Sequence, residues 1–139
     1  MAAIADPAAT QRPPLAFERL YADAAGESHF GPVAIGITER LFAPPARPFW
    51  VSPLAEAARQ GFLLVPAGWV GELHPSPLRM WIFLLGGAME FAASDGERRH
   101  LSAGSALLLE DTTGKGHCSK VVGAGNATLA VVQLPDISA

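Results

Sequence analysis

Apolar and polar residues alternate in short runs along most of this chain. Between residues 29 and 42, Val33, Ile35, Ile37 and Leu41 are interleaved with Gly36, Thr38 and Arg40. A period of two predicts a strand with one buried face. Pro44, Pro45 and Pro48 then forbid regular pairing and predict a loop or a sheet edge. Ser52-Pro53 reads as the start of a short helix over 54–60, with Ser52 as cap, Pro53 in the first position and Gly61 as the stop. Beyond it, short apolar segments succeed one another at 62–65, 69–74, 79–85, 88–93, 97–101, 105–109, 117–122 and 127–134. Gly, Pro, Asn, Asp or Ser separates most of them. Ser94-Asp95-Gly96 is a hairpin turn, because glycine accepts a positive φ. About eight strands and one short helix at most predict an all-β sandwich or barrel.

Composition narrows the picture. In 139 residues, hydrophobic types make up 50% and charged types 17%, which suits a well-filled core and not a disordered chain. The length favours one domain, expected over 15–139. The Ala/Pro-rich start, residues 1–14, has no period and is expected to be a flexible arm. Lys+Arg 10 against Asp+Glu 13 gives a net charge of −3, with no basic cluster longer than Arg98-Arg99. Neither nucleic acid nor another polyanion is an expected partner. The longest apolar stretches run to about ten residues, half of what a membrane span needs. No basic start leads into an apolar run, so a cytoplasmic protein is expected. The single cysteine, Cys118, excludes an intrachain disulfide and a cysteine-based zinc site.

Two histidines, His74 and His117, sit beside glycine-bearing turns near strand ends, where side chains of a small barrel face one cavity. The run from Gly68 through His74, Ser76 and Met80 to Gly87 resembles the first motif of the cupin superfamily, Gly-x5-His-x-His-x3,4-Glu-x6-Gly. Gly68, His74 and Gly87 keep its spacing. Ser76 stands at the second His position and Met80 at the Glu position. The stretch LSAGSALLLEDTTGKGH resembles the second motif, Gly-x5-Pro-x-Gly-x2-His-x3-Asn, opened by Gly104. There Glu110 falls on the Pro position and Lys115 on the His position, and His117 matches only if the loop is two residues longer. The resemblance covers roughly residues 60–134. It implies a cupin-type double-stranded β-helix, or jelly-roll barrel, with at most one or two short helices. It also implies a homodimer, and in metal-binding relatives a three-His, one-Glu site for a divalent ion.

The candidate chemistry follows from these residues. Serine is a poor ligand and a thioether is too soft for hard divalent ions. The cofactor expectation is therefore none, or one divalent metal ion held by His74 and His117 with an acidic third ligand. Asp111, Glu72, Glu90 and Glu110 are the candidates for that ligand, although none holds a matching position. Without metal, His74, Asp111, Lys115 and His117 form a candidate acid–base set. His117 would be general base or acid, Asp111 its orienting group, and Lys115 a partner for an oxyanion or carboxylate. Thr112 and Thr113 can donate hydrogen bonds to a ligand, although Asp and Thr before glycine are also ordinary turn builders. Ser76, Met80 and Ile82 are expected on the cavity wall, with Arg79, Trp81 and Phe83 facing the other way. Met80 and Ile82 make that wall apolar and favour an apolar or aromatic ligand, unless they only fill the barrel.

Three functions stay open at this level. One is a metal-independent acid–base enzyme of isomerase, cyclase, lyase or decarboxylase type, acting on a small molecule. The second is a non-enzymatic small-molecule binding or sensor module. The third is a metal-dependent dioxygenase or lyase with an atypical ligand set.

Overall fold

The computed structural model describes residues 12–136, and residues 1–11 of the expected arm lie outside them. Eleven strands occur among the described residues: β1 (Leu15–Ala22), β2 (Ser28–Ile35), β3 (Thr38–Arg40), β4 (Phe49–Val51), β5 (Arg59–Val65), β6 (Met80–Gly86), β7 (Ala88–Ala93), β8 (Arg98–Ser102), β9 (Ala106–Leu109), β10 (His117–Val122) and β11 (Ala127–Gln133). No helix is present among them. In particular, none is long and apolar enough to cross a membrane. The expected helix at 54–60 is replaced by irregular chain leading into β5. There Ala58 N–H donates to the Gln133 carbonyl, and Arg59 enters register with Gln133. Backbone pairing with β11 outweighs the modest helix preference of an alanine-rich segment.

The chain divides into two compact units. Among the described residues, the smaller comprises 12–17 and 33–55. Its hairpin joins β3 to β4 with Thr38 opposite Val51, the Phe42 and Phe49 rings lie 5.6 Å apart, and the Arg12 guanidinium sits over the Trp50 ring. The larger comprises residues 18–32 and 56–136 and contains the candidate site.

The strand order of the larger unit defines the fold. One sheet runs β9-β6-β11-β5, continued past β9 by β1 and β2. The other runs β8-β7-β10 and is extended by segment 70–74, which bridges β10 at Val70–Lys120 and His74–His117. The chain visits the sheets in the order first, second, first, second, second, first, second, first from β5 to β11. Seven strands and this bridging segment, threaded this way through two antiparallel layers, form a jelly roll, as expected of a cupin-type barrel. The core lies between them, where Ile82, Leu84, Leu107, Leu109 and Leu129 of one sheet meet Met89, Phe91, Leu101 and Val121 of the other. Alternation produces this arrangement. In β7, Met89, Phe91 and Ala93 are buried, while Glu90 points outward to Arg98 and Lys120. The β7–β8 turn is the predicted one, with Gly96 at φ 96° and Asp95 Oδ1 accepting from Glu97 N–H.

Candidate functional site

His74 and His117 converge. Each residue's N–H donates to the other's carbonyl at 2.9 Å, so the two side chains leave adjacent strands as a direct cross-strand pair. Their ring centroids lie 5.2 Å apart, and the Phe91 ring lies 5.7 Å from His117. Gly116, at φ 79°, makes the approach possible. A Cβ there would collide with the carbonyl group of His74, so only glycine fits. Ser28, fully buried, donates from Oγ to the Gly116 carbonyl and fixes that turn from the other side.

Behind His117 stands Asp111, fully buried, with Oδ2 2.6 Å from His117 Nδ1. With the carboxylate ionised it can only accept, so Nδ1–H donates to it, and in the neutral imidazole Nε2 then carries the lone pair. His74 has the same tautomer for a different reason, because its Nδ1 lies 2.7 Å from the Pro75 carbonyl, which also only accepts. Neither Nε2 has a hydrogen-bond partner among the described residues. Asp111 Oδ1 is buried without one as well. His117 is 3% exposed, whereas His74 lies at the surface.

Both rings line a cavity of about 220 Å³. The rest of its wall is mostly apolar: Val65 and Leu63 of β5, Met80 and Ile82 of β6, Met89 and Phe91 of β7, Leu109 of β9 and Leu129 of β11. Ser76 and Ser119 add hydroxyls, but Ser76 Oγ already donates to the Leu78 carbonyl. Leu63 and Trp69, 45% and 38% exposed, stand at the rim with the exposed His74 and Pro77.

The sequence-predicted residues thus separate into groups. His74, Ser76, Met80, Ile82 and His117 share the cavity, and Asp111 supports His117 from behind. Lys115 is not on the cavity wall. It is exposed, and its ammonium pairs with Glu27 at 3.3 Å. The loop is the longer one, so His117 and not Lys115 reaches the pocket. Thr112 and Thr113 are exposed and do not line the cavity either. Trp81 and Phe83 stack with each other at 6.0 Å, on the face of β6 away from the cavity-lining Ile82. Met89, Phe91, Val65, Leu109 and Leu129 also line the cavity, and none of them is among the sequence-predicted site residues. For the first two, the strict alternation of β7 was the available signal.

The carboxylates considered as metal ligands are occupied elsewhere. Glu110 is held by Arg19 at 3.2 Å and Arg79 at 2.9 Å. Glu90 pairs with Arg98 and Lys120, and Glu72 is exposed and off the cavity wall. No group of three His, Cys, Asp or Glu side chains suited to a metal exists among the described residues. Two imidazoles, a committed hydroxyl and a thioether do not fit the hard divalent ion of metal-binding cupins, which needs at least one carboxylate beside two histidines.

Strand order defines a jelly-roll fold, the one that the sequence resemblance to cupins implies. No family model matches the chain, and no curated protein matches it. Among solved structures, it is similar to the cupin domain of Cnp3 from Schizosaccharomyces pombe, at 15% identity and TM-score 0.46 over 91% of this chain and 86% of that one. It is also similar to SPY1581, a conserved protein of unknown function from Streptococcus pyogenes, at 24% identity and TM-score 0.43 over 60% of this chain and 71% of that one.

Proposed function

We propose that the chain is an acid–base enzyme that shifts a proton on a small apolar or aromatic molecule bound in the barrel. The observation that carries this reading is the buried Asp111–His117 pair, 2.6 Å apart, behind a free Nε2 in an apolar cavity. A carboxylate on Nδ1 fixes the tautomer and stabilises the imidazolium that forms when Nε2 takes a proton. The cavity volume suits one substituted ring, since an apolar cavity of about 150 Å³ accepts benzene. In the proposed step His117 Nε2 removes a proton from carbon next to a carbonyl, and the C–H electron pair moves into the enolate. His74, exposed and able to exchange protons with water, returns a proton to another substrate atom from its protonated Nε2. The product is an isomer, and no oxidant or reductant is consumed. The homodimer implied by the resemblance has support in β5, an edge strand whose outward Phe62 and Leu64 are 76% and 68% exposed.

Small aryl ketones with an acidic C–H, incubated with metal-free protein in D2O, test this by NMR. The expected result is deuterium uptake above the buffer rate, reduced by about 100-fold or more in His117→Gln. A ketone whose resonances shift on binding but never exchange would overturn the enzymatic reading in favour of a binding module.

A further inference from the structure

We infer that a second cavity, on the inner sheet face where β5 begins and β11 ends, is a site for a small organic monocarboxylate, with the Arg59 guanidinium as its anchor. This goes beyond the proton-transfer reading and does not rest on it.

The register of β5, β11 and β6 builds the site. Arg59 of β5, Gln133 of β11 and Met80 of β6 stand in one cross-strand row. Gly61, Val131 and Ile82 form the next row on the same face, because side chains two apart in a strand share a face. Ile82 belongs to the core and Val131 packs against it, so this is the inner face of the sheet. Arg59, Gly61, Met80, Val131 and Gln133, with Leu78, wall a cavity of about 220 Å³. Met80 is common to this cavity and to the one lined by the two imidazoles.

Charge is the first argument for the ligand class. Arg59 lines the cavity and no carboxylate does. The other arginines of the larger unit, Arg19, Arg79, Arg98 and Arg99, each pair with a glutamate. Arg59 has no ion pair among the described residues, and its Nε donates to Gln133 Oε1 at 2.7 Å. That bond orients the guanidinium and leaves both Nη groups for an acceptor. Two N–H donors of a guanidinium match the two oxygens of a carboxylate. One guanidinium balances one negative charge, so a monocarboxylate fits better than a phosphate dianion. Leu78, Met80 and Val131 give the organic part of the ligand an apolar wall.

Gly61 is the second argument. It lies inside β5 without a positive φ, and a Cβ there would meet only Val131 Cγ2 within 4 Å, at 4.0 Å. Neither backbone conformation nor packing requires glycine, which weakens a strand interior. Its effect is an open floor beside Arg59, and glycine within a strand often marks the close approach of a ligand.

The test uses full-length protein labelled with 13C at the methionine methyl groups. Met80 walls the proposed site, whereas Met89 lines only the other cavity. The Met80 resonance is the one that Met80→Leu removes. Phenylacetate and phenylacetamide are the probes, since they share a ring and differ in charge. The expected result is a saturable shift with phenylacetate, larger at Met80 than at Met89, and about tenfold weaker binding of the amide. Arg59→Gln should weaken phenylacetate by a similar factor and leave the amide unchanged. Gly61→Val, which fills the floor while raising strand preference, should weaken both probes. Equal affinity for acid and amide in the wild type would overturn the site without recourse to a variant. So would phenylacetate binding unchanged in both Arg59→Gln and Gly61→Val. A shift larger at Met89 would put the acid beside the imidazoles, and no shift at Met80 would leave the cavity without its ligand; either overturns the proposal.

Discussion

Removing Asp111 tests the central contact of the site. Its carboxylate is 0% exposed and accepts from His117 Nδ1 at 2.6 Å, while His117 is 3% exposed. Asp111→Ala deletes a charge-assisted hydrogen bond and leaves a buried N–H without a partner. Breaking a buried pair from one side typically costs about 3–5 kcal/mol. Asp111 Oδ1 has no partner to lose, which places the expected cost near the lower end, about 3 kcal/mol. For a chain of this length that lowers the melting temperature by roughly 10 °C. His117→Phe should cost at least as much, because it strands a carboxylate instead of a neutral N–H. The double variant leaves neither group orphaned, so the two losses should overlap by about 2 kcal/mol. Urea unfolding of the four proteins, followed by tryptophan fluorescence, measures this coupling, with Trp69 on the cavity wall as a local reporter. Additivity within about 0.5 kcal/mol would mean the pair is not energetically coupled, and the orienting role of Asp111 would fall with it.

Gly116→Ala should unfold or strongly destabilise the chain, because its methyl group would enter the His74 carbonyl, and near-wild-type melting would refute that packing. His29 is held between Asp23 and Asp95, and the hydrogen bonds that its ring N–H groups donate to Asp23 first and Asp95 second raise its pKa above 6.5. Its stabilisation is therefore full below pH 6.5 and lost as pH rises through the raised value, while both aspartates, lowered from 3.8, lose theirs as pH falls through the lowered values. The difference in melting temperature between wild type and His29→Gln should be largest near pH 5–6 and shrink toward pH 9, and a difference that grows with pH would contradict this. Leu64→Glu should turn a dimer into a monomer by light scattering if β5 is the contact, and an unchanged mass would remove β5 from that role. Met80→Glu adds a carboxylate beside two imidazoles, so Zn(II) should raise the melting temperature of the variant and not of the wild type, and equal shifts would refute the ligand argument.

How legible each element was depended on which physical effect controlled it. The β7–β8 hairpin was legible because Ser94-Asp95-Gly96 encodes its own turn. The faces of β6 were legible because alternation is strict along residues 80–84, with Met80 and Ile82 on the cavity wall. β1 was not read as a strand. Its Glu18 and Arg19 interrupt the apolar pattern, and only the fold reveals that Arg99 and Glu110 satisfy them. The helix expected at 54–60 followed local preference, and pairing with β11 overrode it. At the site, His74 could be placed by spacing from Gly68. His117 could not, because its position depends on the path of the loop from residue 110 to 116, where Gly114 and Gly116 both take positive φ. Asp111 had two local meanings, turn builder or histidine partner, and burial decided between them. Lys115 carried the right chemistry at the right count, yet its side chain turns to Glu27.

The position of one negative charge explains why this pocket differs from a hard-metal site. A carboxylate inside the cavity would face any ligand directly, repel an anion and invite a hard cation. Asp111 instead stands one ring behind the cavity, so its charge reaches the ligand only through the imidazole of His117. That placement leaves the wall apolar, as the proposed proton removal from carbon requires. The choice of carboxylate follows from strand alternation at the end of β9. Leu109 lines the cavity, Glu110 points outward to Arg19 and Arg79, and Asp111 points back in under His117. A one-residue slip of this segment would turn Asp111 toward the arginines and press the longer Glu110 side chain against the imidazole. The two arginines therefore help to set the register that gives His117 its partner, although neither lines the cavity.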